Sequence, residues 1–106
     1  MMNDFGLPKD VYTDIITVLR RYPEIKFAKI FGSRAKGSYK RYSDVDIAVF
    51  ADTNCDLSQF VKDDLEDLEA IYMFDVLHYE KIASAEIKAH IDRVGVEILS
   101  IERGLG

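Results

Sequence analysis

The apolar residues of this chain change period along its length, and that alternation limits the fold more than any other feature. After Pro8, suited to a first helical turn, Val11, Ile15, Val18, Leu19 and Tyr22 recur at helical spacing, and Pro23 closes the segment. Residues 26 to 31 form a short β-prone run ending at Gly32, and residues 45 to 50 form another. Asp56 then precedes a helical pattern at Leu57, Phe60, Val61, Leu65 and Leu68, with Gln59 spaced for a capping box. The aromatic and branched run IYMFDVLHY, residues 71 to 79, predicts a third strand. Ser84 predicts the cap of a last helix bearing Ile87, Ile91 and Val94, and Gly95 its end. Val96 to Ile101 predict a fourth strand, and the tail ERGLG is expected to fray. Helices alternating with strands in this way imply an α/β (α+β) architecture: a mixed sheet of about four strands with helices packed against it. At 106 residues the chain fits a single domain, 1–106.

Composition narrows the function classes. The chain is 48% apolar and 31% charged, without repeats or low-complexity tracts, as in ordinary globular proteins. It has no apolar run near the roughly 18 residues of a membrane span and no basic-then-apolar leader, so a cytoplasmic protein is expected. The one cysteine, Cys55, has no thiol partner for a disulfide or a metal site and is expected to be a reduced thiol. A net charge of −5 argues against extended nucleic-acid binding, which depends on neutralising many phosphates. Locally the balance reverses: Arg34, Lys36, Lys40 and Arg41 lie between residues 34 and 41 with no acid among them. Such a run suits either a solvated loop or a phosphate-bearing ligand.

That basic stretch belongs to the long connection 32 to 44, where compact domains commonly use about 4 to 6 residues. It ends on Asp44-Val45-Asp46, running into Ile47-Ala48-Val49-Phe50. Strand alternation turns Asp44 and Asp46 to one face, continued by Ala48 and Phe50, and turns Val45, Ile47 and Val49 to the other. Asp75 shares its face with Met73 and Leu77, so a carboxylate interrupts an otherwise apolar row. If the sheet brings these acids together, each pair about 4 Å apart repels by ~4 kcal/mol at an effective dielectric near 20. That is a large part of a total stability of roughly 5 to 15 kcal/mol. Neither strand contains a Lys or Arg to offset it. A divalent cation meets the need, since a few hard carboxylate oxygens are what Mg2+ favours. For each acid singly, a plainer reading stands: Asp44 caps the loop, and Asp75 pairs with a basic side chain from a helix. Gly32 and Ser33 lie directly upstream, where a glycine turn lets backbone N–H groups approach phosphate oxygens.

Gly32-Ser33, a spacer, Asp44-x-Asp46 and the later Asp75 resemble the active-site pattern of the DNA polymerase β nucleotidyltransferase superfamily. More narrowly, GSRAKGSYKRYSDVDIAVF is similar to the motif of the minimal nucleotidyltransferase (MNT) proteins. The resemblance covers nearly the whole chain in order of elements, with residues 32 to 50 carrying its specificity. It implies catalytic and metal-binding roles for Asp44, Asp46 and Asp75 around a two-metal Mg2+ site, with ATP as substrate. It also implies nucleotide binding by Gly32 and Ser33; Arg34 and Lys36 are the basic candidates beside them, with Lys40 and Arg41 further along. Tyr39 or Tyr42 is a candidate to stack on the base, or a packing residue.

The helical domain that larger relatives use to hold nucleotide or acceptor is expected to have no counterpart here. The resemblance therefore implies a partner, a small helical protein of the HEPN class, in a hetero-oligomer or beside a homodimer mate. The leading expectation is an antitoxin that transfers AMP from ATP to a tyrosine of a HEPN-type toxin. Two rivals remain: a binding module that neutralises its partner by contact, and a transferase acting on a small molecule such as an aminoglycoside. His78 points away from the Asp75 face and His90 lies on the last helix, so both are expected to be structural. The acidic run Asp63-Asp64-Glu66-Asp67-Glu69 is expected to be a solvated helix face.

Overall fold

A computed structural model describes residues 5–41, 43–68 and 71–100. Four helices and four strands follow in order: α1 (Lys9–Arg20), β1 (Ile25–Phe31), α2 (Gly32–Lys36), β2 (Val45–Ala51), α3 (Ser58–Glu66), β3 (Phe74–His78), α4 (Ala85–Val94) and β4 (Val96–Ser100). A single 3-10 turn, Tyr79–Lys81, follows β3. The strands form one sheet in the order β3-β2-β1-β4. β1 is antiparallel to both β2 and β4, while β2 and β3 are parallel. The sheet is mixed, as the alternation of elements predicts. Parallel neighbours need a crossover, and α3 supplies it.

Alternation along β2 divides the core in two. Val45, Ile47 and Val49 are fully buried and join Ile15, Val18 and Leu19 of α1 and Val61 and Leu65 of α3 in the larger cluster. Each such side chain contributes about 1.5–3 kcal/mol by leaving water. Ala48 and Phe50 face the other way and pack with Phe31 and with Ile91 of α4 in a smaller cluster. Asp46 belongs to this second face and lies where it opens. Among the described residues no helix is long and apolar enough to cross a membrane.

Several expectations change. The strand predicted over 71–79 is confined to Phe74–His78; Ile71 and Met73 lie outside it, 70% and 63% exposed, and Tyr79 turns into the 3-10 helix. The long connection after β1 is not all loop, because its first five residues coil into α2, ending at Gly37 in the left-handed region. Gln59 does not complete a capping box; its amide donates to Asp63 Oδ1 at 2.8 Å. The start of α3 is held instead by Asp56 Oδ1, accepting from Ser58 N at 2.9 Å, and by His78 Nδ1, accepting from Leu57 N at 3.1 Å. Phe60 and Ile87, expected in the core, are 57% and 41% exposed.

Other readings hold. Ser84 Oγ accepts from Ile87 N at 3.2 Å and caps α4, which ends at Gly95. His78 is buried on the face opposite Asp75, its Nε2 3.1 Å from the Ala51 carbonyl. Cys55 is a free, exposed cysteine. Ile101 of the predicted fourth strand, Glu69 of the acidic run and the tail 102–106 lie outside the described residues.

Candidate active site

The sheet register decides which acids meet. Asp46 is the partner of Phe31 on β1 and of Asp75 on β3, so two carboxylates from adjacent strands stand side by side. Asp44 precedes the first residue of β2 and is exposed. Asp46 is half-buried, and its carboxyl is pushed up to about 6, first by burial and then by the negative charges of Asp75 and Asp44. The three predicted acids therefore share one electrostatic neighbourhood centred on Asp46. Among the described residues none of the ion pairs gives any of the three a basic partner.

Two details depart from expectation. Asp75 does not interrupt a buried apolar row: it is exposed, as is Met73, so the cost of its charge is small and the stressed carboxylate is Asp46. Among the described residues, no three His, Cys, Asp or Glu side chains are gathered closely enough to form a ready metal-ligand set. The donor chemistry nonetheless fits Mg2+: hard carboxylate oxygens, one of them half-buried and held in an unfavourable charge state that a cation would relieve.

Gly32 is built against this group. Its φ is +73°, and a Cβ there would fall 2.1 Å from Asp46 Oδ2. A side chain is thus excluded twice, by backbone conformation and by the carboxylate. The chain turns sharply at Gly32 from β1 into α2, so Ser33 follows in the first turn of that helix. Gly32 and Asp46 are brought together, as the spacing predicts.

The basic residues divide. Lys36, Lys40 and Arg41 are exposed on or after α2. Arg34 is corrected: it is only 1% exposed, and its guanidinium donates to backbone carbonyls, so the side chain is turned inward and not toward a phosphate. Tyr39 is partly buried, its ring 5.2 Å from the Arg34 guanidinium, a packing contact. Tyr42 lies outside the described residues. No local pattern in the sequence distinguishes Arg34 from its basic neighbours, because its acceptors come from distant segments.

The comparisons agree with this geometry. The family model "Polymerase beta, Nucleotidyltransferase" matches residues 13–103. No curated protein sequence matches the chain significantly. Among solved structures, a chain of a toxin–antitoxin complex with AMP-PNP is 25% identical with TM-score 0.67, over 88% of this chain and 76% of that one. A chain of the MntA–HepT toxin–antitoxin structure is 21% identical with TM-score 0.61, over 92% and 76%. A chain from the complex of tri-AMPylated Shewanella oneidensis HEPN toxin with MNT antitoxin is 21% identical with TM-score 0.62, over 91% and 75%. The last two carry the fold alone. With the family model spanning β1 through β4 and the Gly-Ser and aspartate positions inside it, the chain belongs to the polymerase β nucleotidyltransferase family.

Proposed function

We propose that this protein is a Mg2+-dependent nucleotidyltransferase that moves AMP from ATP to a hydroxyl of a HEPN-type partner and acts as that partner's antitoxin. The observation that carries the reading is Asp46: a half-buried carboxylate with two acidic neighbours and a glycine Cα held against it. The likeness to the toxin–antitoxin complex with AMP-PNP supports the choice of nucleotide and partner.

In this reading Gly32 and Ser33 hold the triphosphate through backbone N–H groups and the serine hydroxyl. Asp44 and Asp46 present oxygens to the metal, and Asp75, the accessible acid of β3, takes the acceptor's proton on its carboxylate. The acceptor oxygen forms a bond to the α-phosphorus while the bond from that phosphorus to the pyrophosphate oxygen breaks, so pyrophosphate leaves. Bound Mg2+ supplies charge neutralisation along the displacement. The exposed Lys36 adds positive charge near the phosphates.

The test is mass measurement of a HEPN-type partner after incubation with the protein, ATP and Mg2+. The partner is expected to gain one or more AMP groups. No gain with any of the four nucleotides would falsify the assignment. A second reading, neutralisation by contact, draws support from Ile71 and Met73, two large apolar side chains exposed beside β3. The double change Asp44→Asn and Asp46→Asn separates them: a transferase loses protection of cells against the toxin, whereas a contact inhibitor keeps it.

A further inference from the structure

Arg34 is a cation in the protein interior, and among the described residues no carboxylate pairs with it. Burying a charge is unfavourable unless hydrogen bonds replace its water. Here backbone oxygens do so. Nη1 donates to Phe5 O at 2.8 Å and Gly6 O at 3.4 Å, Nη2 to Ser43 O at 2.9 Å and Arg41 O at 3.3 Å, and Nε to Ser43 O at 3.2 Å. The guanidinium also lies 5.2 Å from the Tyr39 ring and 5.0 Å from the Tyr72 ring, within cation–π range.

The acceptor carbonyls and rings come from three separate segments, and two of them lead into the acids. Ser43 immediately precedes Asp44 and lies three residues before Asp46; Tyr72 lies three residues before Asp75. The third, Phe5-Gly6, closes the far side: Gly6 has φ +70°, and a Cβ on it would fall 2.2 Å from Tyr39 Cε1, so backbone and ring are in direct contact. Arg34 itself rides on α2, one residue after Ser33. A second small lock shapes the same loop, with Lys40 N donating to Ser43 Oγ at 2.7 Å and Ser43 N to Lys40 O at 3.0 Å.

We infer that Arg34 is a positioning residue: its planar guanidinium binds the end of the glycine-rich loop and the approach to β3 onto α2, fixing Asp44, Asp46 and Asp75 relative to Ser33. This rests on the transferase reading for its consequence in metal–nucleotide binding, though not for the mechanical link itself. A lysine keeps the charge but donates from a single point, so it cannot span the carbonyls of Phe5, Arg41 and Ser43 together.

The test compares wild type with Arg34→Lys and Arg34→Gln by hydrogen exchange and by binding of Mn2+ with a non-hydrolysable ATP analogue. Exchange at amides 43 to 45 is expected to accelerate at least tenfold in both variants, while Ile47 and Val49 in the central strand stay protected. Affinity for the Mn2+–nucleotide pair is expected to drop about tenfold in the lysine variant and further in the glutamine variant. Acceleration that is uniform over the sheet, or absent, makes Arg34 an ordinary core residue and overturns the inference. So does local loosening with unchanged Mn2+–nucleotide affinity. If the loop loosens while wild type binds no Mn2+–nucleotide at all, the mechanical link is upheld and the transferase reading fails instead.

Discussion

Asp46 and Asp75 are direct partners across the parallel strands β2 and β3, so two like charges are fixed one strand spacing apart by the backbone itself. Side-chain rotation relieves part of the repulsion; the sheet keeps the rest. Asp46, the half-buried member, is pushed up to about 6, first by its burial and then by the charges of Asp75 and Asp44.

The first prediction follows from the sign of that change. An unfolded aspartic acid titrates near about 4, so between there and about 6 the folded protein holds a proton that the unfolded chain releases. Asp46 therefore favours the fold below about 4, and this contribution is lost as pH rises through about 6. After discounting for solvent screening of a half-exposed group, Asp46→Asn is expected to stabilise the protein by about 1 kcal/mol near pH 7.5. That corresponds to a Tm gain of roughly 4–8 °C. Melts at about pH 4.5 and about pH 7.5 check it; parallel pH profiles for the two proteins exclude Asp46 as the source. Mg2+ is expected to raise Tm in the wild type and not in the variant.

Gly32→Ala introduces a Cβ where the backbone is left-handed and Asp46 Oδ2 is 2.1 Å away. The backbone conformation alone costs roughly 1–2 kcal/mol for an L-residue. Displacing the carboxylate by about 1 Å is expected to reduce transfer about 100-fold. Thermal melts and single-turnover rates on the same preparation separate the two effects. A variant as active as wild type removes Asp46 from the chemistry.

His78→Leu fills a similar volume but leaves the Leu57 N–H and the Ala51 carbonyl without their partner. At about 1–3 kcal/mol for each orphaned group, urea denaturation is expected to show a loss of roughly 2–6 kcal/mol. A loss below about 1 kcal/mol means that neither contact contributes appreciably.

Ser84→Ala and Gln59→Ala form a contrasting pair. Ser84 caps α4 through Ile87 N, and its loss is expected to cost about 1 kcal/mol. Gln59 reaches forward to Asp63 on the exposed side of α3, so its loss is expected to lie within about 0.5 kcal/mol. Equal effects in chemical denaturation contradict the difference in cap geometry.

These residues show what was legible before any coordinates. Local patterns were reliable: the alternation of Val45 to Phe50 sorts that strand's faces, and Ser84 begins its helix where the spacing says. The glycine and aspartate spacing also pointed to a real juxtaposition of Gly32 with Asp46. What escaped depends on contacts between distant segments. Gln59 has no capping role because α3 starts one residue later than the spacing implies, with Leu57 as its cap residue and the Leu57 N–H met by His78 from β3. Arg34 reads as one of four equivalent cations until the carbonyls of Phe5 and Ser43 close around it. β3 is shorter than the side chains of residues 71 to 73 suggest, because of these three only Met73 has a backbone hydrogen bond to β2, its carbonyl accepting from Val45 N at 2.9 Å.

The position of β4 also governs when the candidate site can exist. Phe27 pairs with Ser100, so the strand that leads into Gly32 gains its outer neighbour from about two thirds of the chain's length away. Closing so long a loop delays sheet completion and slows folding relative to a helical domain of the same size. A newly made chain therefore carries its acidic triad in an unfinished scaffold until its final strand has docked.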